Sequence, residues 1–409
     1  MFAASFRSHS SICSRCIEHS IMLPGVAIMT VTTARFELLD YLRLSAALMV
    51  VAFHWIFNGI ENGKVESIAH TPLAPIAVYG EFGVHLFFII SGFVISRSAE
   101  GRTAARFAVG RAIRLYPAFW AGMLATTAVV TLGGTLVMQV TVPQFLANLT
   151  MAPTIFRQPF IDGVYWTLLY ELSFYLLIFL FLVTKNGRHL ESFYPLWGIA
   201  MLAIALGAPQ ISGLPFLGGY YAFFAGGALL ASIQKHGVSP MRLIGLAASV
   251  TTGVLFVHRN VAHLNDTRSV DQVPGVPELI VITLFALVAL MLIPRLAALS
   301  LPLSKPMSDL TYPIYLLHAH IGYVVLNSFA TTTNAGWVYA MMFVGLLVSA
   351  FLLHEIVEVR MSNFWFAFFD RSIGRFLRWV GRDAVRPNDG SGPAARMGTK
   401  LDPGGRNAS

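Results

Sequence analysis

The stretch FELLDYLRLSAALMVVAFHWIF, residues 36–57, decides how this chain is read. It is apolar and long enough to cross a bilayer, which takes about 20 predominantly apolar residues. Yet it carries Asp40, Arg43 and His54. A charge near the middle of a membrane helix costs about 2.5–3.5 kcal/mol on insertion scales, so such groups turn toward a protein interior or a wet cavity. At 100° per residue, Arg43 and His54 fall within about 20° of each other on the helix wheel, with Asp40 one turn below Arg43. Three polar groups thus share one face of an otherwise apolar helix.

The rest of the sequence agrees with a membrane. Hydrophobic residues make up 56% and charged residues only 12%, against about 25% charged in soluble domains. A soluble surface could not be covered with so few charges. The formal charge of +8 fits the Lys and Arg excess of cytoplasmic loops. No basic tract interleaves with aromatics outside the membrane-flanking segments, so nucleic acid is not an expected partner. Cys13 and Cys16 give no disulfide framework. With His9 and His19 they can be drawn as a zinc site, but the plainer reading is a poorly ordered or over-long N-terminus, and no metal is expected. Met22 and Met29 are alternative starts, and the first thirty residues lack the features of a secretory signal.

About ten hydrophobic segments can be marked: 38–57, 76–95, 115–137, 165–183, 196–208, 216–233, 243–257, 279–293, 312–329 and 337–353. The second connection holds Arg97, Arg102, Arg106, Arg111 and Arg114. The other even connections hold Lys185 and Arg188, Lys235 and Arg242, Arg295 and Lys305; the odd ones hold only Lys64, Arg157, Arg259 and Arg268. Positive loops face the cytoplasm, so the expectation is an all-α, polytopic protein with both termini cytoplasmic. Residues 1–34 are expected to be poorly ordered and residues 35–360 to form the membrane domain. Residues 361–380, which mix aromatics with Arg371, Arg375 and Arg378, read as an amphipathic helix on the inner leaflet. The Gly- and Pro-rich stretch 381–409 reads as a disordered tail.

A rise of about 1.5 Å per residue converts position into depth. Arg43 then sits roughly 8 Å above the inner boundary and His54 roughly 24 Å up, while Glu171 lies roughly 9 Å below the outer boundary. His54 and Glu171 are therefore expected in one layer, His318 near the depth of Arg43, and Arg111 and Arg114 at the cytoplasmic mouth. Arginine's planar, permanently charged fork suits a phosphate-bearing cytosolic ligand. A histidine with a carboxylate suits proton transfer. The roughly 16 Å between Arg43 and His54 matches an extended phosphopantetheine arm.

At this point the residues resemble the acyltransferase-3 family of integral membrane acyltransferases. The resemblance rests on LDYLRLSAALMVVAFH (39–54), GVHLFFIISGFVIS (83–96), RAIRLYPAFW (111–120), WTLLYELSFYLL (166–177) and LTYPIYLLH (310–318), in that order. It implies an inner-membrane enzyme of about ten spans that moves an acetyl or other acyl group. The implied donor is cytosolic acyl-CoA, a substrate rather than a bound cofactor. The implied acceptor is a hydroxyl of a surface or exported carbohydrate, a lipid-linked glycan, or a similar small molecule. By resemblance His54 is the essential histidine, while Arg43, Arg111 and Arg114 engage the donor. Leu44, Ser45, Thr311 and His320 depart from the frequent family residues. HEIVEVR (354–360) lacks the common ending, so Glu355 and Glu358 receive no role.

Each assignment has a plainer competitor. His54 can be a buried hydrogen-bonder, Arg43 can simply pair with Asp40, and Arg111 and Arg114 can be interfacial anchors. An intramembrane Glu171 is functional by default, with the role of orienting the imidazole. His318 and Asp40 support, and His85 reads as structural. Gly83, Gly92, Gly226 and Gly227 read as helix-packing positions. Two rival functions remain: a proton-coupled transporter with His54 and Glu171 as its relay, and a non-catalytic subunit of an export complex. The transporter predicts a paired repeat of broken helices, which the sequence does not display.

Overall fold

The computed structural model describes residues 36–133 and 138–382. The readings made for Cys13, Cys16 and the rest of 1–35, and for 383–409, lie outside them. Among the described residues every regular element is helical. In chain order the main helices are α1 (Glu37–Glu61), α2 (Ala74–Ala99), α3 (Ala104–Gly133), α4 (Gly163–Val183), α5 (Gly187–Gly207), α6 (Tyr221–His236), α7 (Pro240–Asn265), α8 (Val276–Leu292), α9 (Ser304–Leu317), α10 (Ala319–Phe329) and α11 (Ala335–Arg360). All but α6, α8, α9 and α10 are long and apolar enough to cross a membrane, which makes seven among the described residues.

Lipid tails are as apolar as leucine, so membrane helices associate through close packing rather than hydrophobic burial. Here the small residues do that. A Cβ on Gly92 of α2 would lie 2.2 Å from the Phe224 carbonyl oxygen on α6, and one on Gly227 of α6 would lie 2.0 Å from that of Ile89. Gly83 meets the Ala46 carbonyl of α1 at 2.4 Å, and Gly226 meets the Phe285 ring of α8 at 2.4 Å. All four are packing positions, as their context suggests.

Three departures from the sequence reading position the site. First, α3 starts at Ala104, so Arg106, Arg111 and Arg114 stand on a helix instead of in the expected connection. Arginine heads depress local hydropathy, yet their alkyl stems let the helix continue. Second, the expected segment 312–329 is two helices, and the first begins at Ser304. Its polar opening turns hid it from a hydropathy window. The chain breaks at His318, where the indole N–H of Trp55 donates to the His318 carbonyl (2.7 Å) and Asp162 accepts the His320 amide (3.0 Å). A break among membrane helices survives only if its freed backbone groups find such partners.

Third, α1 is not α-helical throughout. Phe53–Asn58 is π-helical, a widening that turns the residues beyond it away from the simple wheel and is common at functional sites. The Tyr339 hydroxyl donates to the Trp55 carbonyl inside this turn (3.1 Å). A second π-helical stretch, His354–Arg360, ends α11. The chain continues as helices Ser362–Phe369 and Arg375–Arg382, with Phe369 buried against Val109 and Ala112 of α3.

Candidate active site

Two neighbouring cavities lie among α1, α2, α3, α4 and α9–α10. The first, of about 120 Å³, is lined by Arg43, Ser91, Arg111, Arg114, Glu171, Tyr175, Tyr312 and Tyr315, among others. The second, of about 330 Å³, is lined by His54, Asn58, Lys64, His85, Asp162, Thr167, Tyr315, His320 and Tyr323, among others.

The first cavity gathers the three predicted arginines from two helices. Arg111 and Arg114 face it together because three residues along a helix return nearly to the same side. The Arg43 guanidinium lies 3.9 Å from Asp40, so the ion pair foreseen as its plainer role is present too. Arg111 stacks over Tyr175 (5.6 Å to the ring centroid) and Arg114 over Tyr312 (5.8 Å). Arg114 also stands 3.6 Å from Glu358 at the end of α11, whose other oxygen contacts His354 Nδ1 at 2.7 Å. Glu358, given no role from sequence, is therefore an acidic partner of Arg114.

Glu171 belongs here as well. Its Oε1 accepts the Tyr175 hydroxyl (2.6 Å) and lies 3.4 Å from the Ser91 hydroxyl. This corrects the expected pairing with His54: equal depth on two helices is not contact, and the inward face of α4 at Glu171 opens on the arginine cavity. A His54–Glu171 proton relay is corrected by the same observation, since the two groups line different cavities.

In the second cavity, His54 Nδ1 lies 2.5 Å from the Tyr323 hydroxyl and 3.2 Å from the Asn58 amide nitrogen, which itself lies 3.2 Å from the Tyr323 oxygen. Asn58 is one turn along the π-helical stretch, and Tyr323 reaches across from α10. That approach needs small neighbours: a Cβ on Gly59 would lie 2.5 Å from Tyr323 Cε1, and one on Gly322 would lie 2.3 Å from Trp55 Nε1. The His318 ring sits 5.1 Å from that of His54, beside it rather than beside Arg43 as depth counting expected. The early start of α9 accounts for the shift. His318 Nδ1 bonds the Tyr315 carbonyl at 2.8 Å.

The sequence reading missed Tyr323, Asn58, Lys64, Asp162 and His320. Asp162 is fully buried and caps the turn leading into α4, accepting the Val164 amide (3.2 Å) and the His320 amide. Lys64, in the loop after α1, donates to His320 Nε2 at 2.9 Å. Burial pushes the pKa of its ammonium below the usual lysine range, and Asp162 partly opposes the shift. His85 lines the same cavity with its ring against Phe82, Tyr220 and Phe223. The one available signal was the H-x-H of His318 and His320, which marks the break beside the site.

The fold and cavities define an all-α, multi-pass membrane protein with a cationic compartment adjoining a histidine-bearing one. A family model described as an acyltransferase domain, Acyl_transf_3, matches residues 36–355. The chain belongs to this acyltransferase-3 family and is a membrane acyltransferase. No curated protein and no solved structure matches it.

Proposed function

We propose that this enzyme transfers an acyl group from cytosolic acyl-CoA to a hydroxyl of a surface or exported carbohydrate, free or lipid-linked. In this reading the protein crosses the inner membrane about ten times with both termini in the cytoplasm. The observation that carries it is the convergence of Arg43, Arg111 and Arg114 on a cavity that shares a wall with the His54 cavity. The arginines neutralise the donor's phosphates, and the thioester extends toward His54.

The hydrogen bonds of His54 support a general-base role in one tautomer. For Nε2 to act as a base, the ring proton must sit on Nδ1 and be donated to the Tyr323 oxygen, which also receives the Asn58 amide. Nε2 then takes the proton of the acceptor hydroxyl as its oxygen attacks the thioester carbon. The C–O bond forms, the C–S bond breaks, and the departing sulfur collects the proton from the imidazolium. With the opposite tautomer, in which Nδ1 accepts from Tyr323 or Asn58, Nε2 can only donate. An apolar groove of about 860 Å³ between α3, α10 and α11 has Trp55 and His318 in its lining, the His318 ring lying beside that of His54, and supports an acceptor carried on a lipid.

The test is release of CoA thiol by the purified protein in lipid nanodiscs, given acetyl-CoA and a glycolipid extract of the source membrane. His54→Ala should cut acyl incorporation on the order of 10²-fold or more; wild-type transfer by that variant would defeat the assignment.

A further inference from the structure

Three residues line both cavities: Val84 of α2, Thr167 of α4 and Tyr315 of α9. We propose that they form the partition crossed by the acyl end of the donor, and that Val84 sets the length of acyl group transferred. This rests on acyl-CoA being the donor, as read above.

Arg43 and Glu171 line only the first cavity, and His54 and Tyr323 only the second. A thioester whose phosphates rest on the arginines must therefore pass this wall before the imidazole can serve the acceptor. The wall is closed by hydroxyls. Thr167 Oγ1 and Tyr315 Oη lie 2.6 Å apart, and both reach the Val164 carbonyl, at 2.9 and 3.0 Å. Two hydroxyl protons serve these three contacts, so if Tyr315 swings aside Thr167 still satisfies the buried carbonyl. Opening leaves no backbone group stranded, as a latch requires. Tyr315 also lies three residues before the break at His318, where α9 ends.

Val84 closes the apolar side of the passage and is buried at 9% exposure. It has no hydrogen bond to lose, so its bulk alone limits what fits past the two hydroxyls. Val84→Ala widens the passage and Val84→Phe fills it. Neither change removes a hydrogen bond or ion pair of Arg43, Arg114 or His54 given above.

The experiment uses inverted membrane vesicles from a source strain deleted for the chain and complemented with wild type or variant, so the native acceptor is present. Thiol release from acetyl-, butyryl- and hexanoyl-CoA gives kcat/KM for each donor. CoA binding to the purified protein is measured by calorimetry. Val84→Ala should raise the hexanoyl-to-acetyl ratio at least tenfold, and Val84→Phe should cut transfer from every donor at least tenfold while CoA affinity holds. Thr167→Val and Tyr315→Phe, which keep shape and lose the latch, should shift the ratio in the same direction as Val84→Ala. Ratios within twofold of wild type in Val84→Ala, Thr167→Val and Tyr315→Phe, with CoA still bound, would overturn the proposal. A wild-type protein that releases no thiol from any acyl-CoA would instead remove the donor assignment beneath it.

Discussion

The hydroxyl of Tyr323 stands 2.5 Å from Nδ1 of His54, although 269 residues separate the two in the chain. No carboxylate contacts the imidazole among the described residues; a phenol hydroxyl and the Asn58 amide hold its ring. Removing His54 should cost general-base catalysis on the order of 10²-fold or more, and Tyr323→Phe a smaller loss, on the order of 10-fold. The Tyr323→Phe loss should fall on kcat with donor KM unchanged. A variant with wild-type kcat would show that the 2.5 Å contact is packing alone.

Arg114 is the arginine of the first cavity whose charge is already shared with an acidic partner across the bundle, Glu358 at 3.6 Å. Hydrogen bonds to charged groups contribute about 1.5–3 kcal/mol, so Arg114→Ala should raise the donor KM by roughly 10- to 100-fold and leave kcat within a few-fold. Glu358→Gln releases the guanidinium from its competitor and should lower the donor KM. Steady-state kinetics with acetyl-CoA checks both. A rise in donor KM for Glu358→Gln would mean that the carboxylate positions Arg114 rather than competing for it.

Glu171 stands with the arginines of the first cavity. It accepts the Tyr175 hydroxyl at 2.6 Å and faces the arginines, not His54. Glu171→Gln should therefore change the donor KM and leave unaltered any pH dependence that belongs to the His54 step. A shift of the pH–rate profile with donor KM intact would restore the imidazole partnership expected from depth.

Much of this was legible in the sequence because chemistry-bearing residues in an apolar helix are conspicuous. Arg43 and His54 stand out for that reason, Arg111 and Arg114 for their place in an arginine-rich connection and a family-like motif, and the fold places all four on cavity walls. Depth counting failed where helices deviate from uniform rods. The polar residues 304–311 start α9 early and carry His318 up to His54, and the π-helical turn at Phe53–Asn58 brings Asn58 to the imidazole. Tyr323 and Asp162 were invisible because a tyrosine in an apolar segment and an aspartate in a loop are ordinary. Only the break at His318 brings both to one cavity.

The glycine contacts between α2 and α6 make a stability prediction independent of the chemistry. A methyl on Gly227 would meet the Ile89 carbonyl oxygen at 2.0 Å, a distance that backbone must yield to because no side chain can rotate away. Overpacking costs about 1–3 kcal/mol or more, so Gly227→Ala should lower the thermal midpoint clearly. Gly336→Ala, where nothing lies within 4 Å, should leave it unchanged. Equal midpoints for the two variants would show that α2 and α6 do not pack backbone to backbone.

Lys64 gives a pH prediction whose sign follows from its burial. Its pKa lies below the ordinary lysine range, mainly because the fold desolvates the ammonium, with Asp162 opposing. Between the lowered folded pKa and the unfolded one, the unfolded chain binds more protons, so stability rises with pH through that window. The ammonium's hydrogen bond to His320 Nε2 at 2.9 Å is at full strength only below the lowered pKa. The groups around it are Asp162, His320 and the Tyr323 ring, 5.9 Å from Nζ. If this bond holds His320 and Tyr323 in place for His54, transfer should fall on an alkaline limb beginning below the ordinary lysine range. Lys64→Arg keeps the charge at every accessible pH and should move that limb upward, while Lys64→Gln should lower the plateau and abolish it. Profiles of kcat/KM corrected for spontaneous thioester hydrolysis make the measurement. An alkaline limb unmoved in Lys64→Arg would assign it to another group and leave Lys64 only a structural tie between the loop and α10.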